Sequence, residues 1–390
     1  MNNVVKQIFN ASSRLTALAI LSAFLIGGLL IAFANEEVQI TSSYLFSRPT
    51  DFLAAVWNSI FGAYDALFRG AIYNYKALDS VSMIKPLTET LTYATPITLA
   101  GLGMAVAFRS GLFNIGGTGQ IIFGAMGAAW VGFSVELPAL IHLPVAVIAG
   151  VLAAGLFGGF VGFLKAATGA NEVIVTIMMN YIASLLLFYV LTTPLFQAPG
   201  AVNPISPEIS ETAKYWRFMG EDFRINASFF VMLAMVLVVW WLLNRSSIGF
   251  QFRALGHNPS ASKVAGINIG ITYVLVMAIS GALAGLAGTS QVLGAEKYLT
   301  PSVAASFGFD AITVALLGRS KPFGVLAAGL LFGALRAGAV IMQANQKVPI
   351  DIVLIVQSLV VLFIAAPPLV RFMFRLSDPA KQAMKFEGAK

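Results

Sequence analysis

Residues 143–164 read LPVAVIAGVLAAGLFGGFVGFL, twenty-two residues without one charged side chain. A helix of that length extends about 33 Å, and the hydrocarbon core of a bilayer is about 30 Å thick. Its large aliphatic and aromatic residues are interspersed with glycine and alanine, which is typical of helices that pack closely within a membrane. The stretch therefore predicts a transmembrane helix.

Similar apolar blocks continue along the chain and predict an all-α, polytopic helical membrane protein with about ten transmembrane helices in a single domain over residues 1–390. The predicted spans are 15–34, 90–107, 112–133, 143–164, 173–195, 228–243, 270–294, 305–318, 323–344 and 352–370. The block 305–318 is short, since fourteen residues reach only about 21 Å. It is expected to be a half-helix or a broken helix.

The composition excludes several classes of protein. Of the 390 residues, 58% are hydrophobic and 11% charged, whereas soluble domains carry about 25% charged residues. A disordered chain, a nucleic-acid-binding domain and an ordinary soluble enzyme are thereby excluded. The absence of cysteine and the presence of only two histidines argue against a metal site within one chain. No phosphate-binding loop, HExxH or GxSxG motif occurs, so no catalytic residue is predicted.

The charges predict the orientation of the spans, because loops on the cytoplasmic side are enriched in lysine and arginine. With ten crossings and a cytoplasmic N-terminus, the inside segments hold fourteen basic and three acidic residues. The outside segments then hold nine basic and thirteen acidic residues. Both termini are therefore expected in the cytoplasm.

The first apolar block has a second interpretation, because Ala32-Phe33-Ala34 resembles a signal-peptidase site. The block is as long as a span and longer than a usual signal sequence. An uncleaved first span is therefore the favoured interpretation, and cleavage would leave the orientation of the other nine spans unchanged.

Two long segments are expected outside the membrane. The first, 35–89, contains an amphipathic helix over 51–69, where Leu53, Trp57, Phe61 and other apolar residues recur at intervals of three and four. That helix lies on the outer membrane surface or packs against other spans. The second, 196–227, is polar and rich in proline, which predicts a loop able to contact an extracytoplasmic partner.

The loop 244–269, expected on the cytoplasmic side, contains a very short helix. Asn258 suits its N-cap, Pro259 its first turn and Gly266 its end. Barely two turns of helix are marginal in water, so the helix either docks on a partner or is only a capped turn between two spans. The residues singled out in this loop are Arg253, Gly256, Asn258, Pro259, Ala261, Ala265 and Gly266.

Three amides are candidates for the substrate path. Asn114 and Gln120 flank the glycine-rich turn GLFNIGGTGQ at 111–120, and Asn180 lies within the fifth span. The turn either lines a path or lets the spans pack tightly, and spacing alone favours packing. Asn180 is the first of the three to test for substrate contact.

Two charges fall inside predicted spans, Asp310 in the short block and Arg336 near the middle of the ninth span. An arginine at that depth costs about 2.5–3.5 kcal/mol on insertion scales, so it requires a partner or water. Asp310 is its nearest candidate partner. A structural ion pair is favoured over a role in substrate binding.

The chain resembles the permease subunits of bacterial ATP-binding-cassette (ABC) importers for branched-chain amino acids, simple sugars and nucleosides. The runs GLFNIGGTGQ (111–120), ANEVIVTIMMNY (170–181) and RALGHNPSASKVAGIN (253–268) are most similar to the nucleoside branch. The resemblance covers roughly residues 90–370. The motif departs from the family pattern at Gly117-Thr118, where a small residue and an acid are expected, and Arg319-Ser-Lys321 is unusually basic.

The resemblance implies a division of labour between subunits. Residues 253–266 would be the coupling helix, which sits in a groove of a separate cytoplasmic ABC ATPase that binds ATP, so this chain needs no cofactor. A second, non-identical permease would complete the pore, and an extracytoplasmic binding protein would deliver the substrate. The chain, with its N-terminal extension, is similar to the larger of two paired permeases and would lie in the bacterial inner membrane.

Two alternatives to a nucleoside permease stay open. A permease for a simple sugar such as ribose has the same organisation. An ion-coupled secondary transporter would carry several ionisable groups within its spans, and here Asp310 is almost alone.

Overall fold

The computed structural model describes residues 11–346 and 348–374, and regular structure in these residues is helical without any strand. The all-α prediction is confirmed for this part of the chain. The helices are α1 (Ala11–Ala34), α2 (Glu36–Ser42), α3 (Pro49–Ala71), α4 (Ser80–Arg109), α5 (Gly117–Ser134), α6 (Ala139–Thr168), α7 (Glu172–Val190), α8 (Ser228–Arg245), α9 (Ser247–His257), α10 (Pro259–Val264), α11 (Ile269–Ser290), α12 (Phe307–Leu317), α13 (Pro322–Gln346), α14 (Ile350–Ala365) and α15 (Pro367–Met373).

Seven of the described helices are long and apolar enough to cross a membrane: α1, α4, α6, α7, α8, α11 with the π-helical turn Gln291–Ala295, and α13. The predicted blocks 112–133, 305–318 and 352–370 contain the shorter or less apolar helices α5, α12 and α14. The chain is therefore a polytopic helical membrane protein. Ten crossings remain a prediction, as does the cytoplasmic location of the termini, whose residues 1–10 and 375–390 lie outside the described part.

The helix of the second span begins ten residues before the predicted start at 90. Asp79 caps it, with its Oδ2 accepting a hydrogen bond from Ser82 N at 2.8 Å. Thirty residues of helix extend roughly 45 Å, well beyond the hydrocarbon core. Because its first turns are polar, a search for apolar blocks misses the start of this helix. The extra length allows its N-terminal end to project outside the membrane.

The chain forms two compact units, one of residues 1–70 and 338–390 and the other of residues 71–337. In the second unit, α6 and α11 form the most extensive helix pair. Glycine permits their close approach: a Cβ on Gly158 would meet Met277 O, and a Cβ on Gly281 would meet Ala154 O. Their glycine and alanine residues are thus a packing face, as expected for helices that associate within a membrane.

In the first unit, α1 packs against α14, and α3 contacts neighbours through its small residues. Ala55, Ala63 and Ala66 are buried, and the hydroxyl of Tyr64 donates a hydrogen bond to Phe24 O. The large apolar residues behave differently: Leu53, Trp57, Phe61 and Phe68 are each about half exposed or more. The predicted helix is present, one face packs within the protein, and the aromatic face that identified it points outward.

The loop between α7 and α8 is hydrogen-bonded to other segments of the second unit. Its backbone bonds to two other segments: Ser210 N donates to Gly132 O at 2.9 Å, and Ile209 N donates to Lys297 O at 3.0 Å. Ile209 is 1% exposed, whereas Trp216 is 72% exposed. The loop is therefore packed against two other segments of the second unit and still leaves the apolar side chain of Trp216 exposed.

Candidate functional site

The loop 244–269 folds into α9 and α10, joined at Asn258. Asn258 Oδ1 accepts a hydrogen bond from Ala261 N at 3.1 Å, and Pro259 occupies the first turn of α10. Ser262 turns inward, and its Oγ donates to Asn258 O at 2.9 Å. Gly266 follows with φ of 83°, a left-handed conformation in which glycine is favoured. The N-cap and the terminating glycine lie where the sequence placed them.

One side of α10 is apolar and exposed. Ala261, Val264 and Ala265 follow the three- and four-residue spacing that puts side chains on one helix face. All three are exposed, and Val264 is exposed over 91% of its surface. A six-residue helix gains little from its own hydrogen bonds, so an uncovered apolar face on it is typical of a docking element. We call Ala261, Val264 and Ala265 the docking face.

The base of this loop packs against the turn that follows α4. Phe252 of α9 is fully buried. A Cβ on Gly256 would meet Arg109 O and would lie 3.0 Å from Gly111 N, so glycine is required for this backbone approach. Arg253 has its Nη1 buried without a hydrogen-bond partner among the described residues. Gly256 thus joins α9 to the start of the glycine-rich turn.

The turn between α12 and α13 lies at the same end of this unit. Arg109 Nε donates a hydrogen bond to Ser320 O at 3.1 Å. Arg319 and Ser320 have φ of 53° and 51°, a conformation that is strained for residues with a side chain. The loop 244–269 therefore contacts the end of α4, and the end of α4 contacts the turn that precedes α13.

Asn114 and Gln120, two of the proposed path residues, lie in the interior of the second unit. They are 0% and 1% exposed. Asn114 Nδ2 donates to Gln120 Oε1 at 3.0 Å and to Ser280 Oγ at 2.8 Å, while Asn114 Oδ1 accepts from Gly116 N at 2.9 Å. These bonds hold the glycine-rich turn against α11.

Asn180, the third candidate, bonds to the same turn from α7. Its Nδ2 donates to Ile115 O at 2.8 Å, and its Oδ1 accepts from Gly119 N at 2.8 Å. Thr176, one turn earlier on α7, accepts a bond from Ile115 N at 3.3 Å. Asn180 is 8% exposed. The structure thus brings the three predicted amides together around one turn.

The turn is tightly packed in the structure, and its place in a substrate path stays a prediction. Both polar ends of the Asn114 and Asn180 side chains are engaged within the protein. Buried amides that satisfy backbone groups stabilise an irregular segment inside a membrane protein. The two amides therefore hold in place the turn whose first residue, Gly111, is approached by Gly256.

The Asn180→Ala variant is expected to lose about 3 kcal/mol of folding stability, because Gly119 N and Ile115 O would remain buried without partners. Thermal inactivation of the detergent-solubilised protein measures this. Ser184→Ala is the matched control, since Ser184 Oγ only bonds Asn180 O within its own helix at 3.0 Å. Normal stability combined with lost transport in Asn180→Ala would favour substrate contact instead.

The two charges within predicted spans are in contact. Arg336 Nη1 lies 2.8 Å from Asp310 Oδ2, and the side chains are 26% and 13% exposed. Ser306 Oγ donates to the same carboxylate oxygen at 2.8 Å and accepts a hydrogen bond from Arg336 Nη1. The guanidinium also lies over the ring of Phe307, 4.6 Å from its centroid. Asp310, Ser306 and Phe307 thus join α12 to α13.

Sequence reasoning missed Tyr93, which lies near two arginines. Arg224 Cζ is 5.9 Å and Arg336 Cζ 5.8 Å from the centroid of the Tyr93 ring. Glu89, one turn earlier on α4, pairs with Arg224 across 3.2 Å. The four-residue spacing of Glu89 and Tyr93 could have indicated a shared helix face. No sequence signal could have paired Glu89 with Arg224, which is 135 residues away.

Long apolar helices and an irregular polar turn buried between them are typical of a polytopic membrane transport protein. The chain belongs to the family described as the branched-chain amino acid transport system / permease component, whose model matches residues 87–365.

The most similar relatives compared are ABC transporter permeases. The guanosine ABC transporter permease protein NupP of Bacillus subtilis (strain 168) is 38% identical over 87% of this chain and 91% of its own length. The nucleoside ABC transporter permease protein NupB of Lactococcus lactis subsp. cremoris (strain MG1363) is 31% identical over 86% and 94%. The glucose ABC transporter permease protein TsgB13 of Haloferax volcanii is 32% identical over 71% and 75%. No solved structure matches the chain.

This membership makes the chain the permease subunit of an ABC importer, embedded in the cytoplasmic membrane through several helices. Permeases of this kind are not enzymes, and a separate subunit hydrolyses ATP. A substrate-binding protein and an ATPase are the partners that the family implies. Among the described residues, no group of three histidine, aspartate or glutamate side chains is placed to hold a metal ion.

Proposed function

We propose that this permease forms the path by which nucleosides are imported across the cytoplasmic membrane. The observation that carries the proposal is its identity of 38% and 31% to a guanosine and a nucleoside permease, each over nearly the whole of both chains. The substrate would be delivered by an extracytoplasmic binding protein. The exposed Trp216 in the loop between α7 and α8 offers that protein an apolar contact.

The proposed coupling residues fit a docking role for the loop 244–269. The docking face on α10 would sit in a groove of the cytoplasmic ATPase, which alone would bind ATP. Asn258, Pro259 and Gly266 would fix the ends of the helix, and Gly256 would transmit its movement to the glycine-rich turn. The exposure of Val264 and the close approach at Gly256 support this assignment.

The proposed topology has ten crossings with both termini in the cytoplasm. Fourteen basic and three acidic residues then lie inside, in agreement with the preference of cytoplasmic loops for positive charge. Helices α5, α12 and α14 would complete the seven longer spans. The short α12, of 11 residues, would be a half-helix supported by protein on its polar side.

A second, non-identical permease would complete the pore. Arg336 lies in a predicted span and is 26% exposed in this chain. Such a group is unstable against lipid, so protein or water must cover it. A path formed between two permeases would provide both.

A simple sugar is the second candidate substrate, because the glucose permease TsgB13 is 32% identical over 71% of this chain. An ion-coupled mechanism gains no support from Asp310, whose Oδ2 already accepts bonds from Arg336 and Ser306. The two substrate classes share one coupling mechanism, so substrate choice must be tested directly.

The test is uptake by proteoliposomes that contain both permeases and the ATPase, supplied with the binding protein. We expect ATP-dependent accumulation of a labelled nucleoside such as guanosine at a rate at least about tenfold above that of ribose or glucose. Omission of the ATPase is the control. Uptake of sugar alone would assign the second substrate, and uptake driven by an ion gradient without the ATPase would contradict the importer assignment.

A further inference from the structure

Five charged side chains surround Tyr93 and the residues next to it in the second unit. Arg224 Nη1 lies 3.2 Å from Glu89 Oε2, and Arg224 Nη2 lies 3.4 Å from Glu296 Oε1. Arg336, paired with Asp310, approaches the Tyr93 ring at 5.8 Å. These residues come from α4, α12, α13 and two loops, so the fold, rather than local sequence, assembles the group. We call Glu89, Tyr93, Arg224, Glu296, Asp310 and Arg336 the tyrosine cluster.

The tyrosine cluster contains a free hydrogen-bond acceptor. Glu89 Oε2 faces Arg224, whereas Glu89 Oε1 is buried and has no hydrogen-bond partner among the described residues. A buried charged oxygen without a donor is more unfavourable than a buried neutral one, and such a group calls for an explanation. A ligand hydroxyl or N–H group would satisfy this oxygen once a rotation of the partly exposed Glu89 side chain brings Oε1 to the surface.

The cluster is partly open. The side chains of Glu89, Arg224 and Arg336 are 19%, 33% and 26% exposed, and Tyr93 is also half-buried. The cluster holds two positive side chains, Arg224 and Arg336, and three negative ones. Its net negative charge disfavours an anionic ligand and is compatible with a neutral one. An uncharged molecule with hydroxyl donors and a planar ring matches this surface.

The chemistry of each group indicates how such a molecule would bind. A carboxylate is the group with which dinucleotide-binding sites hold ribose hydroxyls, and aromatic side chains stack favourably on nucleobases of any sequence. Arg224 and Arg336 are already close to the Tyr93 ring and limit its movement. In the proposed topology, Glu89 and Tyr93 lie toward the outer end of α4, where delivered cargo would enter.

We propose that Glu89 and Tyr93 contact the substrate on the outer half of the path, with Glu89 Oε1 accepting a ribose hydroxyl and the Tyr93 ring packing against the base. Arg224 and Arg336 are positioning residues for these two side chains. This inference rests on the proposed function, since it requires a nucleoside as cargo.

The Glu89→Gln variant tests the acceptor. Arg224 has only donors, so the amide oxygen of the new glutamine is expected to face Arg224. The NH₂ group then takes the position of Glu89 Oε1, and the free acceptor is lost. A hydroxyl can accept a bond from this NH₂ group, but such a neutral bond is weaker than one to a carboxylate. In proteoliposomes with both permeases, the ATPase and saturated binding protein, guanosine uptake should therefore fall about tenfold. Uptake of 2′-deoxyguanosine or 3′-deoxyguanosine, whichever lacks the bonded hydroxyl, should fall much less.

Two comparisons complete the experiment. Glu136→Gln removes the same charge from an exposed position between α5 and α6 and should leave uptake unchanged. Tyr93→Phe should retain guanosine uptake, and Tyr93→Leu should reduce it about tenfold through loss of base packing.

Several results would overturn this inference. Unchanged uptake in Glu89→Gln, or an equal fall for guanosine and both deoxynucleosides, would limit Glu89 to its pairing with Arg224. Wild-type vesicles that import sugar and no nucleoside would remove the proposed function, and this assignment with it. An active wild type with insensitive Glu89→Gln and Tyr93→Leu variants would remove this assignment alone.

Discussion

The Val264→Glu variant is expected to lose association with the partner ATPase while the permease still inserts and folds. Val264 is 91% exposed, so a glutamate there disturbs no packing within the chain. In a complex, the carboxylate would be buried in the centre of an apolar contact. Truncations at such centres cost at least about 2 kcal/mol, and a desolvated charge adds to this. Association should therefore weaken more than about thirtyfold.

Co-purification of the ATPase with tagged permease, followed by titration in detergent, measures this loss. Ala261→Glu and Ala265→Glu are expected to act in the same way, because they lie on the same docking face. Lys263→Glu is the control: it places a carboxylate on α10 at an exposed, already charged position that lies on the side away from Ala261 and Ala265. Retained association in the three docking-face variants would reject the coupling assignment.

The local fold of the loop 244–269 could be predicted closely because its determinants are local. Asn258, Pro259 and Gly266 each act within a few residues, through a cap, a fixed φ and a left-handed turn. The docking face likewise follows from helical spacing. The contact of Gly256 with Gly111 was not predictable, since it depends on the approach of two distant backbone segments.

The apolar blocks each contain a helix, because sustained hydropathy is a strong signal for a membrane helix. The ends of these helices were less predictable. Helix α4 continues into the polar residues 80–89, and the block 352–370 divides at Ala366, where Pro367 follows. The aromatic side of α3 was recognised correctly as apolar, although its small residues make the contacts within the protein.

The contacts of the buried polar residues were the least predictable feature from the sequence. Asn114 and Asn180 were identified as buried polar residues, but their shared hold on one turn depends on long-range packing. The pairing of Asp310 with Arg336 could be proposed because an intramembrane charge needs an opposite charge and only one was near. Tyr93 had no such constraint, and its neighbours became evident only from the fold.

The Asp310→Leu variant is expected to reduce the yield of folded permease strongly, because Arg336 would keep its charge without a carboxylate partner. Removing one member of a buried pair costs about 3–5 kcal/mol of folding stability. Arg336 and Asp310 are 26% and 13% exposed, so the loss is expected at the lower end of that range. The Arg336→Met variant should be milder. A carboxylate can take up a proton and become neutral, whereas a guanidinium cannot lose one.

The double variant Asp310→Leu/Arg336→Met decides what the pair does. It leaves no unpaired charge, so its yield and thermal inactivation temperature should recover most of the loss seen in Asp310→Leu. Yield is measured by size-exclusion chromatography in detergent, and transport is measured in proteoliposomes. If the pair only stabilises the fold and positions Tyr93, the double variant should transport within about tenfold of wild type. Recovered folding without transport would instead assign the charges a direct role in the path, and single variants that match wild type in both assays would show that the pair is not required.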